Sequence, residues 1–235
     1  MKKLLTAILI KIWADSAKLN NKILTSYIQK APKAKILDIG VYRAELIIER
    51  VKNIKKPEIY AIDINAKTVA TCKKMGIKTI KYNIEKGLPY KSNYFDIVSA
   101  NQIIEHLVDI DLFVSEIYRV LKPKGYLVLS TENLSSWHNI FALLVGWQAF
   151  SQHMSYKKNI GNPIRLTHCH GKDLPGMHIK IFTPRGLKEI MELYGFKVKN
   201  TFGAGYYPFW GKISQILSKV NPTHCAFIGL KVQKL

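Results

Sequence analysis

An α/β fold with a mostly parallel sheet covered on both faces is predicted by three observations. Short, nearly continuous apolar runs recur from residue 34 onward, stretches of helical period separate them, and glycine or proline turns punctuate the joins. Strands that read as unbroken apolar runs are buried on both sides, whereas a sheet with one wet face would alternate apolar and polar residues.

The chain opens with Leu4, Leu5, Ile8, Leu9, Ile12 and Trp13 at helical spacing among lysines. Residues 1–32 are therefore expected to form an amphipathic helical segment that packs on the domain or lies on a membrane surface. MKKLLTAILI imitates a signal peptide, but Lys11 interrupts the apolar run. No stretch approaches the roughly 20 apolar residues that span a bilayer. AKILDIG is the first expected strand and EIYAIDI the second, with a helix near 43–53 between them. A helix near 66–75, a short strand over 78–82, the strand YFDIVSAN and a helix over 112–121 follow. Lys122-Pro123-Lys124-Gly125 reads as a turn that introduces the strand YLVLST. The alternation then stops, so 133–182 is expected as an insertion within one domain of 235 residues. TPRGLKEIMELYGF announces a capped helix, and KVKNTFGAG and HCAFIGLKV read as the last two strands.

Composition narrows the function. With 48% apolar and 11% aromatic residues the chain can bury a sizeable core, which excludes a disordered or collagen-like protein. Cys72, Cys169 and Cys225 are odd in number and far apart, so a disulfide framework is not indicated and a reducing cytoplasm fits. Lys and Arg number 36 against 16 Asp and Glu, a net charge of +20 that raises nucleic acid, an anionic membrane or an anionic substrate as partners. Only five of the cations are Arg, the side chain preferred for planar phosphate and base recognition, and this weighs against nucleic acid.

Chemistry concentrates where ligands bind in open α/β sheets, beyond the carboxyl ends of the strands. Asp38, Gly40 and Tyr42 occupy the first strand-to-helix turn, where glycine lets backbone approach a ligand closely. Asp63 ends the second strand, the place for a carboxylate that accepts both ribose hydroxyls. Asn83 ends the third, where its amide could read an adenine edge while Ile64 and Ile84 flank the ring.

These residues, with the run GLPYKSNYFDIVSANQIIEHLVDIDLFVSEIYRVLKPKGYLVLSTEN, make the chain similar to class I S-adenosylmethionine-dependent methyltransferases. The similarity runs through 35–133 and is nearest to the large family related to menaquinone and ubiquinone biosynthesis methyltransferases (methyltransferase type 11). It implies a Rossmann-like sheet of seven strands with the last antiparallel, S-adenosyl-L-methionine as cofactor, and cofactor contacts at Asp38, Gly40, Asp63, Asn83 and Asn101. Two departures stand out: Tyr42 and Ala44 replace glycines of the family's loop, and Asn83 replaces the commoner Asp. The Tyr42 ring could instead cover the methionine end of the cofactor.

An oxygen acceptor needs a base, and His106, just past the fourth strand, is the candidate. A plainer alternative has Glu105 and His106 capping the next helix and bonding the cofactor loop. Related ubiquinone O-methyltransferases carry Glu-x-x-Glu-His here, able to hold a divalent ion. Gln102 replaces the first carboxylate, so no metal is expected. In the insertion, His168, Cys169, His170 and His178 lack metal-site spacing, and a lid helix carrying Trp137, Phe141, Leu144, Trp147 and Phe150 is expected to turn its apolar face onto the pocket. Tyr206 to Trp210 form a second aromatic cluster near the pocket mouth. The expectation is a cytoplasmic enzyme, peripheral to the membrane if the basic helix engages it, that methylates an oxygen of a small or lipid-linked acceptor such as a quinone precursor or saccharide. The alternatives are an RNA methyltransferase and a cofactor-binding protein without catalysis.

Overall fold

In the computed structural model, residues 2–28, 32–41, 43–155, 157–164 and 177–235 are described, with side chains from residue 7 onward. Seven strands form one sheet: β1 (Lys35–Ile39), β2 (Glu58–Asp63), β3 (Lys78–Lys81), β4 (Phe95–Asn101), β5 (Leu121–Glu132), β6 (Phe196–Ala204) and β7 (Phe227–Lys234). Their order is β3-β2-β1-β4-β5-β7-β6, and β7 runs antiparallel to both neighbours. The helices are α1 (Lys2–Ser26), α2 (Ala44–Val51), α3 (Ala66–Lys74), α4 (Ile110–Val120), α5 (Trp137–Leu144), α6 (Pro184–Leu193) and α7 (Gly211–Val220).

Neighbouring residues of each central strand enter different cores, as expected of a sheet buried on both faces. Leu37, Val98 and Leu127 pack with Phe113, Ile117, Leu187 and Met191 of α4 and α6. Ile36, Ile97 and Val128 on the other face meet Leu24 of α1, while Ala61 meets Ile47 of α2 and Cys72 of α3. Local chemistry sets the helix starts. Asn65 accepts from the amides of Lys67 and Thr68, Asp109 from Leu112, and Thr183 from Gly186 ahead of a proline in the first turn.

Three expectations change. Lys122–Gly125 is not a separate turn: it lies within β5 as a bulge, the pairing jumping from Phe95 with Leu121 to Ile97 with Tyr126 while Lys124 takes φ +66°. The expected lid helix is shorter and turned around, with α5 ending at Leu144 and burying Asn139 and Ala142 while Phe141 and Leu144 face outward. Helix α7 was absent from the expected elements, although Ile213, Ile216, Leu217 and Val220 carry its period. The segment after β5 returns to its origin, for Leu134 N–H donates to the Phe182 carbonyl at 2.9 Å.

Candidate functional site

Parallel register brings the expected cofactor residues to one edge. Ile39 stands beside Ile62 and Ala100, Asp63 beside Lys81, and Asn101 beside Ser130. Gly40, one residue past β1, donates its N–H to the Ile62 carbonyl at 2.9 Å and has φ +73°, a left-handed conformation natural to glycine. A Cβ at this position would lie 1.8 Å from Ile103 Cδ1 and 2.2 Å from its Cγ1.

Asp63 is half-buried, and one of its oxygens accepts the Asn65 N–H at 2.7 Å. Burial pushes its carboxyl above the ordinary value, against backbone N–H bonds that favour the charge. The exposed Asn83 accepts the Glu85 N–H on Oδ1, which leaves its NH2 group to donate outward. Ile64 is exposed at the end of β2, and Ile84 packs half-buried on the main core. Tyr42, the remaining cofactor candidate of the first turn, lies outside the described residues, as do His168, Cys169 and His170.

Two cofactor candidates are turned inward. Asp38 is buried, with both carboxylate oxygens 2.8 Å from Arg50 Nη1. Burial raises its carboxyl, while the Arg50 charge and the Ser99 hydroxyl oppose the rise. Asn101 donates to Asn21 Oδ1 and accepts from Asn20 and the Ser130 hydroxyl, so α1 is tied to the carboxyl edge by its own amides. Sequence reading missed Arg50, Asn20 and Asn21 as partners; the only signal was that polar residues interrupt the apolar faces of their helices.

On the acceptor side, a short 3-10 turn, Ile104–His106, follows β4. The turn does not cap α4, a task that falls to Asp109. His106 Nδ1 lies 3.0 Å from the Met177 carbonyl. A carbonyl only accepts, so Nδ1 carries the proton and Nε2 keeps its lone pair. The same reasoning holds for His178, whose Nδ1 lies 2.7 Å from the Ser151 carbonyl. His178 stacks edge-on with both His106 and His153, each at 4.9 Å between centroids. Burial lowers the His106 pKa and brings that of His178 to about 3, so both rings are neutral at pH 7. His178 belongs to the insertion and sits 72 positions from His106, so spacing gave no hint of their contact.

Glu105 is fully buried. Its Oε2 accepts from the Thr131 hydroxyl at 2.8 Å, its Oε1 has no partner, and its backbone carbonyl accepts from Ile179 and Lys180. Burial pushes its carboxyl to about 8, and that of Glu132, also buried, to about 7. Glu105, His106 and His178 each bring one donor atom within 4.8 Å of the others, and here a divalent ion would find three donors despite the loss at Gln102. Donors about 2.1 Å from a shared ion stand roughly 3–3.5 Å apart, so the present spread is looser than a coordination sphere. Two bare imidazole nitrogens thus lie beside a carboxyl that holds its proton near neutrality, groups able to accept a proton.

The buried carboxyls predict a pH dependence of stability. A folded pKa raised above the unfolded value near 4.5 stabilises fully below pH 4.5, and the contribution is lost as pH climbs through about 8 for Glu105. His138 and His178, lowered to about 3, act in the opposite sense and lose their contribution only below pH 6.5. Between pH 6.5 and 8 the carboxyl effect therefore stands alone, with a slope on the order of 1 kcal/mol per pH unit for each ionising group. Denaturant unfolding of Glu105→Gln at those two pH values should show a smaller loss than the wild type. An equal loss would place the titration elsewhere.

Comparison with known proteins bears on the family and the fold. A family profile described as a methyltransferase domain matches residues 13–201. The mitochondrial ubiquinone biosynthesis O-methyltransferase of Rattus norvegicus is 28% identical over 137 residues, covering 57% of this chain and 34% of that protein. A ubiquinone biosynthesis O-methyltransferase of Bradyrhizobium is 32% identical over 118 residues, covering 48% and 45%. The chain thus spans less than half the length of these two curated relatives. A crystal structure of a SAM-dependent methyltransferase from Aquifex aeolicus superposes with a TM-score of 0.57 at 16% identity, covering 92% of this chain and 90% of that one, a likeness of fold.

Proposed function

The chain belongs to the S-adenosylmethionine-dependent methyltransferase family, and on that premise we propose that it methylates an oxygen of a small or membrane-borne acceptor, with quinone precursors the first class to try. The observation that supports an oxygen acceptor is His106, a half-buried neutral imidazole with Nε2 bare, on the turn that leaves the cofactor edge. The names of the two curated relatives point to the same acceptor atom.

The residues present fit the cofactor. Gly40 takes φ +73° and presents backbone at the end of β1, and Asp63 offers a carboxylate oxygen for ribose hydroxyls. Asn83 offers an amide for the adenine edge, and Ile64 and Ile84 supply apolar surface beside it. Asp38 and Asn101 contribute by holding the floor of the edge, through Arg50 and through α1. When bound, S-adenosylmethionine supplies an already activated methyl group, which leaves the protein to position the acceptor and remove its proton. His106 takes that proton on Nε2 while Met177 fixes the ring through Nδ1, and Glu105 and His178 hold the surroundings uncharged. Segment 133–182 would then select the acceptor.

Calorimetric titration with S-adenosylmethionine tests the premise. The wild type should bind, and Asp63→Ala should bind about 10- to 100-fold more weakly, the value of one or two hydrogen bonds to a charged group. A wild type that shows no heat of binding removes the proposal.

A further inference from the structure

Two helices of this chain, α7 and α5, are built inside out. Helix α7 buries Ser214 and Ser218 and exposes Ile216 and Val220, at 61% and 76%. Helix α5 buries Asn139, bonded to the Asn133 carbonyl and to Ser151, and exposes Leu144 at 81%. Helix α1 buries Ile12 and Leu24 in the ordinary way and still shows Ile10 and Trp13 to the outside. Asn139 of α5 and Ser214 and Ser218 of α7 are bonded within the protein, so the apolar faces of these two helices cannot be turned in without breaking those bonds.

The three faces are joined. Asp15 of α1 accepts the Gly211 N–H at the start of α7 at 2.8 Å, and Lys11 Nζ stands 5.5 Å over the Trp210 ring. Trp137 of α5 donates to the Tyr206 hydroxyl at 2.6 Å, in the loop that leads into α7. Exposed apolar side chains on three helices linked in this way mark an interaction site. Its charge identifies the partner. Neither α5 nor α7 has an acidic residue, residues 193–235 contain none, and Asp15 is spent on the α7 amide. Lys11, Lys212 and Lys219 are exposed on the same helices.

We propose that this α1–α5–α7 face docks on an anionic lipid bilayer, with Trp13, Leu144, Ile216 and Val220 entering the interface and the lysines meeting lipid phosphates. Aliphatic and Trp side chains flanked by Lys are the composition that holds a helix in the plane of a membrane surface. No helix among the described residues is long and apolar enough to cross a membrane, so the contact is a surface one. Docking would bring a membrane-borne acceptor to the cofactor edge, because α1 reaches that edge through Asn20 and Asn21. Only this last step rests on the proposed methyl transfer; the docking does not.

Co-sedimentation of the full chain with phosphatidylcholine vesicles, with and without phosphatidylglycerol, tests the inference, alongside a Leu144→Glu/Ile216→Glu variant. Both positions are exposed, and unchanged circular dichroism and S-adenosylmethionine binding would certify the variant's fold. The wild type should sediment with the phosphatidylglycerol vesicles, less so at high salt, and the variant at least about tenfold less. Three results overturn the proposal: no sedimentation of the wild type, sedimentation of the correctly folded variant equal to it, or a wild-type dimer that ignores vesicles and that the variant splits. Loss of vesicle binding with cofactor binding intact would leave the methyl-transfer reading standing.

Discussion

Replacing Arg50 with methionine should lower the unfolding free energy by about 3–5 kcal/mol, the usual result of removing one partner from a buried ion pair. Asp38 and Arg50 are 2% and 7% exposed, and one guanidinium nitrogen serves both carboxylate oxygens. With the cation gone, the Asp38 carboxyl has either to stay charged in an apolar core or to bind a proton, and both raise the energy of the folded state. The second guanidinium nitrogen also bonds Asn21 at 3.2 Å, so the seat of α1 loosens as well. For a domain with a total stability of about 5–15 kcal/mol this is a large fraction. Urea unfolding measures it, and the paired change Arg50→Met with Asp38→Asn should recover most of the loss. A single change costing under about 1 kcal/mol would mean that the pair is solvated in solution.

The second large effect concerns His106. Its change to alanine should reduce kcat by about 10²- to 10⁴-fold, the range for a positioned proton acceptor, while S-adenosylmethionine affinity stays within a factor of about two. A structural histidine would lower stability and leave the pH profile unchanged, so the profile is the deciding measurement. Because burial lowers its pKa, the wild-type rate should stay level through the usual histidine range and fall only at more acidic pH. Exhaustive chelation should leave that rate unaltered. A loss restored by a divalent ion would transfer the role to metal held by Glu105, His106 and His178.

Much of the fold could be read because its signals are local. Apolar runs such as those containing Ile36, Leu37, Ile97 and Val98 identify strands without knowledge of their neighbours, and Gly40 and Asp63 stand at strand ends for reasons internal to the first two strands. What stayed hidden depends on distant partners. Only folding shows that Arg50 bonds both carboxylate oxygens of Asp38, and His178 gains meaning only when folding sets it against His106. The face of α5 misled for a further reason. Burial is inferred from apolarity, and in this helix the asparagine is inside.

Gly40 carries a consequence beyond its approach to a ligand. The space where its Cβ would stand is filled by the tip of Ile103, and the Ile103 carbonyl accepts the His106 N–H at 3.0 Å. The glycine is thus a bearing on which the turn carrying His106 rests. Bulk added there would push Ile103 aside and tilt that turn, so the clearances of the two halves of the site are machined against one another and cannot be adjusted separately.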